Sequence, residues 1–383
     1  MIGTKTVMNF LSGVVTKKSP MYVQFALEKN CNLKCEMCGI VDAKKHENNL
    51  SLTSIEKIAS LLDEIGVTMV ILTGGEPLMR KDLHKVVKIF RDVNIEVRVQ
   101  SNGYLLTEEK VKALIDAGVN EFTISLDTLN PEKQDKINRK KGSWEKAIKA
   151  ISILSQHVSI RGNLSGINTV VSKMNYLELP ALIEFVTKTG LHHSLIPVHT
   201  KIEKGSLLRK RYDEMVFTEE EFPKIDAIYK QVLEMKKQGY HVYNTKRFLR
   251  ESPDYLKYGK VHWKCTSPDL YFSISPSGKY IPCVDMDSDF NMLSLDFMEK
   301  YRSGEVEREL RKTVDKCSGC MYACYPEITY FCNDKQVFFE RVLQGFRTGL
   351  FKRKSLNFQE TLNLANELNH QHENFLKQEI IYA

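Results

Sequence analysis

The sequence predicts an α/β protein in which six strand–helix units form a parallel sheet curled into part of a barrel, followed by a small cysteine-rich α+β extension. Three observations carry this. β-rich runs alternate with helix-forming stretches from residue 21 to 240, short polar and glycine-containing motifs recur after successive strands, and all nine cysteines fall into three clusters.

Strands are expected at MYVQFAL (21–27), VTMVILT (67–73), IEVRVQ (95–100), EFTISLD (121–127), INTVV (167–171) and HHSLIPV (192–198). Helices are expected over 51–66, 82–93, 107–118, 131–154, 177–190 and 219–239. In the second of these, Leu83, Val86, Val87 and Phe90 recur at helical spacing, as one buried face requires. Sequential right-handed crossovers curl such a sheet, and its chemistry then belongs at the C-terminal ends of the strands. Beyond residue 240, YFSIS and KYIPC flank the turn Pro276-Ser277-Gly278, a hairpin that brings Cys283 back beside Tyr271. In the last segment FRTGLFKRK reads as a basic turn. The run after it can form a helix with Phe358, Leu362, Ala365 and Leu368 on one side, suited to packing on the barrel or, second, to docking a partner. The division is thus 1–20 as an N-terminal packing segment, 21–240 as the barrel, 241–335 as the cysteine-rich unit and 336–383 as a helical tail.

At 383 residues and 42% hydrophobic, the chain can bury one large core and a smaller satellite. No apolar run reaches the ~18 residues of a membrane span. The opening MIGTKTVMNFLSGVVTKKSP lacks a small-residue cleavage site, so it reads as a packing segment and not as a signal peptide, and a cytoplasmic location is expected. A surplus of 55 Lys and Arg over 48 Asp and Glu, net +7, does not argue for nucleic acid. It suits an acidic electron donor or a phosphorylated substrate, with solvated surface charge as the simpler reading.

Directly after the first strand stand Cys31, Cys35 and Cys38, a CxxxCxxC loop. Three thiolates on so short a loop can hold a cubane iron–sulfur cluster with one iron left open. A closed zinc site would want a fourth ligand, which His46 could supply. Disulfides fit poorly with an odd total and no secretory segment. After the second strand come Gly74, Gly75, Glu76 and Pro77, after the third Ser101, Asn102 and Gly103, and at the end of the fourth Ser125 and Asp127.

The loop CNLKCEMC together with TGGEP resembles the radical S-adenosylmethionine (SAM) superfamily over residues 21 to about 335. The resemblance implies a partial (β/α)6 TIM-like barrel and a [4Fe-4S] cluster on Cys31, Cys35 and Cys38 whose fourth iron is chelated by SAM. Met37 then lies against the adenine, and the Gly74–Glu76 backbone, with the Glu76 carboxylate, meets the methionyl ammonium before Pro77 stiffens the exit. By the same likeness Ser101, Asn102, Ser125, Asp127, Arg139 and Asn168 face the ribose, carboxylate or substrate, and Gly142-Ser143-Trp144 forms a recurrent turn. His192, His193 and His199 read as solvated or core histidines.

Cys265, Cys283, Cys317, Cys320, Cys324 and Cys332 resemble the auxiliary-cluster extension called SPASM, or its shorter relative Twitch, including Gly278-x4-Cys283, but with a compressed CSGCMYAC. Six thiolates saturate one auxiliary [4Fe-4S] cluster with two spare, or serve two clusters with incomplete cysteine ligation; a zinc ribbon is the competing reading. The implied activity is reductive cleavage of SAM to a 5′-deoxyadenosyl radical that removes hydrogen from a small metabolite or peptide. A flavodoxin or ferredoxin-type protein would supply the electron, and an auxiliary cluster would assist electron transfer in a net oxidation. Cys332 is a candidate hydrogen donor. The alternatives are an iron–sulfur electron carrier and a zinc-stabilised binding module. Only about twenty residues precede the barrel, which favours a metabolite, sugar or lipid substrate, or a separately encoded peptide recogniser.

Overall fold

The computed structural model describes residues 4–40, 49–158, 163–199, 213–350 and 355–382. His46 lies outside them. Helix α1 (Thr4–Thr16) leads into β1 (Tyr22–Glu28), and then come α2 (Leu52–Ile65), β2 (Met69–Gly74), α3 (Leu83–Asp92), β3 (Glu96–Ser101), α4 (Glu108–Asp116) and β4 (Glu121–Ser125). After β4 come α5 (Pro131–Asn138), α6 (Ser143–His157), β5 (Gly166–Val171), α7 (Leu179–Lys188), β6 (His192–Pro197), α8 (Phe222–Gln238) and α9 (Lys246–Tyr258). All six expected strands are present to within two residues at each end, and each pairs in parallel with its neighbour in the order β6-β5-β4-β3-β2-β1.

Strand periodicity sets the two faces. Val23, Phe25, Val70, Leu72, Val97, Val99, Phe122, Ile124, Ile167 and Leu195 are buried in one core with the α3 stripe Leu83, Val86, Val87 and Phe90. The alternate residues Gln24, Arg98, Gln100, Ser125, Asn168 and Ser194 are only partly buried and give the inner face a polar lining. His193 belongs to the helix-facing series: it is fully buried, 2.8 Å from Thr169 Oγ1 through Nε2, and burial pushes its pKa down to about 3. It is a core histidine.

The single helix expected over 131–154 is two. Arg139 takes a left-handed conformation (φ 49°) at the C-terminus of α5, and Gly142 (φ 77°) precedes α6. Asp135 stabilises the break by accepting from Gly142 N (2.5 Å), Ser143 Oγ (2.9 Å) and Trp144 N (3.0 Å). Helix-forming composition on both sides hid the break, because a local carboxylate cap competes with helix continuation only where the turn residues allow it.

The cysteine-rich part brings β7 (Tyr271–Ile274), β8 (Tyr280–Ile281), α10 (Phe297–Arg302), α11 (Glu305–Val314) and α12 (Cys324–Asn333). The expected hairpin is there, with Ser273 opposite Ile281. Its first strand also pairs in parallel with β1, from Tyr22 opposite Tyr271 to Phe25 opposite Ile274, so one eight-stranded sheet runs from the barrel into the extension. Helix α13 (Lys335–Leu350) overrides the turn expected from residue 346, because neither Gly345 nor Gly349 outweighs the helix formers around them, each costing only about 1 kcal/mol. Helix α14 (Phe358–Tyr382) packs on α6 and α7 through Ala365 and Leu368, as its apolar stripe predicts. No helix among the described residues is long and apolar enough to cross a membrane.

Candidate active site

The cysteine loop hangs between two fixed points. At its start, the buried Glu28 accepts from Asn30 N (2.9 Å), Asn30 Nδ2 (2.8 Å) and Asn49 Nδ2 (2.6 Å). Further on, the left-handed stop at Arg139 leaves the last carbonyls of α5 without helical partners, and the loop uses them: Glu36 N donates to Ile137 O (2.9 Å) and Lys34 N to Asn138 O (3.3 Å). The Arg139 guanidinium pairs with Glu36 at 2.6 Å, and Asn138 Oδ1 accepts from Cys35 Sγ at 3.2 Å. Cys38 N closes a turn onto Cys35 O (3.1 Å), while Leu33 N points at Cys31 Sγ (3.5 Å). All three cysteines are partly exposed. Met37 is partly buried against the core.

The glycine turn locks onto this loop. Gly75 N donates to Glu28 O (2.5 Å) and Glu76 N to Asn30 O (2.9 Å). A Cβ at Gly74 would stand 2.3 Å from Glu28 O, and one at Gly75 2.0 Å from Asn30 O. The two glycines are therefore required by the approach of backbone to backbone. The Gly75 and Glu76 amides are thus spent on the loop and Glu76 O accepts from Met79 N (3.0 Å), so the groups of the turn that could accept from an ammonium are the Gly74 and Gly75 carbonyls.

Several residues expected at the ligand also brace the fold. Glu76 is fully buried and accepts from Leu78 N (3.0 Å), Ser101 Oγ (2.8 Å) and Asn102 N (2.8 Å), tying the end of β2 to the end of β3; burial holds its pKa above the usual carboxylate range. Pro77 begins a single helical turn there. Asp127 is buried as well, accepts from Val170 N (2.8 Å), and is pushed up to about 6 by burial. Arg139 is committed to Glu36. By contrast, Ser125, Asn168 and Ser194 stand in register on β4, β5 and β6 as a partly exposed polar row on the inner face, and Asn102 Nδ2 reaches Asn32 Oδ1 (3.0 Å) and Cys31 Sγ (3.7 Å).

The residues fit an iron–sulfur cluster. Burial lifts the Cys31 thiol to about 11 and the Cys35 thiol above its ordinary value, so ligation there must displace protons. Amide donors at Cys31 are the kind that tune cluster sulfurs. No three His, Cys, Asp or Glu side chains among the described residues stand close enough to share one ion, and cubane thiolates, each on its own iron, need no such convergence.

The six later cysteines divide. Cys265, Cys283, Cys317 and Cys320 line one enclosed cavity with Trp263, Pro282 and Tyr325. Trp263 Nε1 donates to Cys320 O (2.9 Å), Gly319 N to Cys317 Sγ (3.3 Å), and Cys265 Sγ lies 2.9 Å from Tyr271 OH. Cys324 points instead toward the barrel: Gln24 Nε2 donates to its sulfur (3.2 Å), and Gln24 Oε1 accepts from Tyr325 OH (2.7 Å). Cys332 packs near α1 beside Lys17, with its thiol raised to about 12 by burial. His199 accepts from Met321 N (3.3 Å) and so ties the cysteine segment to β6. His192 is buried with its ring near that of His241.

Sequence reasoning missed Glu28, Asn30, Asn138, Gln24 and the partly buried Arg98–Glu121 ion pair. An Arg in the inward series of an otherwise apolar strand was the available signal for the last.

Residues 29–186 match the model of the Radical SAM superfamily. The chain is 26% identical over 329 residues to the AdoMet-dependent heme synthase of Methanosarcina barkeri, covering 81% of this chain and 90% of that protein. It is 26% identical over 300 residues to a probable GTP 3′,8-cyclase of Methanococcus maripaludis, covering 77% and 92%. In structure it is similar to SuiB of Streptococcus suis bound to S-adenosylmethionine, with a TM-score of 0.58 at 17% identity over 76% of this chain and 68% of that one, a likeness of fold. The three-cysteine loop bolted to a glycine turn, at the open end of an unclosed parallel barrel, lies within the matched span, and residues 29–186 of this chain are a radical SAM domain.

Proposed function

We propose that this enzyme cleaves SAM reductively and removes a hydrogen atom from a small metabolite or peptide held against the polar inner face of the barrel, with one auxiliary [4Fe-4S] cluster assisting electron transfer. The observation that carries the reading is the lock between the cysteine loop and the glycine turn through Glu28 and Asn30. When bound, a reduced [4Fe-4S] cluster would supply one electron to the sulfonium of SAM, whose C–S bond would break to leave methionine and a carbon radical able to take hydrogen from an unactivated C–H.

The chain's own work is positional. Cys31, Cys35 and Cys38 would hold three irons, and the carbonyls of Gly74 and Gly75 would accept from the methionyl ammonium. Glu76, Ser101 and Asp127 act at one remove by fixing the strand ends that carry those groups. Ser125, Asn168 and Ser194 are the row that would orient ribose or substrate. Holding the reacting C–H within reach of the radical carbon is where most of the rate advantage arises. An electron donor of the flavodoxin or ferredoxin type would fit the mildly basic surface.

Convergence of Cys265, Cys283, Cys317 and Cys320 on one cavity favours a single auxiliary cubane and leaves Cys324 and Cys332 outside it. After anaerobic reconstitution the protein should carry about eight irons. Changing Cys265 or Cys317 to Ala should remove the auxiliary cluster and bring the count to about four. Cys324→Ala and Cys332→Ala should keep the full count. Iron loss in the Cys324 variant equal to that in the Cys265 variant would mean that the ligand set is drawn wrongly. The relatives' names specify different reactions, heme synthesis and GTP cyclisation, and the inner-face row is where this enzyme's own substrate would be chosen.

A further inference from the structure

Of the eleven large apolar side chains that are well exposed among the described residues, four are on α1 and three on α13. That concentration is a patch, not scatter. Helix α1 is apolar on two opposite sides. Gly13 and Val14 face inward, with Val14 in the cluster around Tyr325 and Cys332, and Phe10 stacks near Phe331 at 5.8 Å. The opposite side carries Met8, Leu11 and Val15, which are 66%, 55% and 79% exposed at i, i+3 and i+7. Rings continue from Phe331 to Phe338 (5.2 Å) and on to Phe339 (5.7 Å), reaching α13, where Phe339, Val342 and Leu343 are again exposed at i, i+3 and i+4.

The charges on α1 and in the turn after it are of one sign. No Asp or Glu precedes Glu28, whereas Lys5, Lys17 and Lys18 do. Lys17 and Lys18 are both exposed. A second copy of the chain would bring the same cations to the same place and be repelled. An apolar stripe bordered by lysines on a helix too short and too polar to span is the pattern of a helix lying in a lipid–water interface.

We propose that α1 and α13 dock this enzyme on an anionic phospholipid surface, with Met8, Leu11, Val15, Phe339 and Leu343 entering the acyl boundary and Lys17 and Lys18 meeting headgroup phosphates. The test is co-sedimentation of the intact, cluster-loaded protein with vesicles of phosphatidylcholine alone and of phosphatidylcholine mixed with phosphatidylglycerol. Partitioning should be about tenfold stronger on the anionic vesicles and should weaken with added salt. Two double variants, Leu11→Asp with Val15→Asp and Phe339→Asp with Leu343→Asp, should each lose it while SAM cleavage stays unchanged. Lys17→Glu with Lys18→Glu, which leaves the apolar packing intact, should lose only the preference for anionic lipid. Equal partitioning of wild type and both aspartate variants overturns the proposal, as does absence of binding to either vesicle. So does a wild-type oligomer that the aspartate variants split without lipid, which would make the face a protein interface.

Discussion

Anaerobically reconstituted protein in which Cys31, Cys35 and Cys38 are all changed to Ala is expected to release no 5′-deoxyadenosine above background, a loss of more than ~10³-fold. The expectation follows from where these residues sit. Their loop is pinned at both ends by backbone hydrogen bonds, to Glu28 and Asn30 on one side and to the C-terminus of α5 on the other, and none of these involves a cysteine sulfur. The fold should therefore survive the triple change. Circular dichroism should match the wild type, and about half of the iron should remain, held by the four cysteines of the extension. Retained 5′-deoxyadenosine release would remove the loop from the chemistry.

Gly75→Ala is expected to cost nearly as much activity without touching a ligand. The added Cβ would lie 2.0 Å from Asn30 O and 2.5 Å from Asn30 C, both backbone atoms that no rotamer change can move. Overpacking of this kind costs about 1–3 kcal/mol and is relieved only by shifting the loop. A shift of about 1 Å in a group that positions the reacting atoms can lower turnover about a hundredfold. Gly142→Ala is the control. Its φ is positive, 77°, where that of Gly75 is not, and nothing lies within 4 Å of its Cβ position. It should cost about 1 kcal/mol of stability or less and leave SAM cleavage near wild type. A loss in Gly142→Ala as large as that in Gly75→Ala would mean that contact with the cysteine loop is not what the glycine turn supplies.

Local signals carried most of the barrel. Strands such as Glu96–Ser101 and helices such as Leu83–Asp92 announce themselves by period, and CxxxCxxC and GGEP by spacing. What stayed hidden was non-local. The four residues of β7 are all buried, so they show no alternation, and nothing near them in sequence says that they pair with β1 some 250 residues earlier. Glu76, Ser101 and Asp127 have the chemistry of ligand contacts, and nothing local says that they also tie neighbouring strands together through hydrogen bonds. Likewise the compressed CSGCMYAC gives no hint that Cys320 faces the cavity while Cys324, four residues on at the start of α12, faces Gln24.

The central claim is that SAM binds directly to a cluster with one iron that no cysteine holds. The most direct measurement is the electron paramagnetic resonance spectrum of the dithionite-reduced protein lacking the auxiliary ligands, with Cys265, Cys283, Cys317 and Cys320 changed to Ala, recorded with and without SAM. A clear shift of the signal on adding SAM is predicted, and a spectrum indifferent to SAM would contradict it.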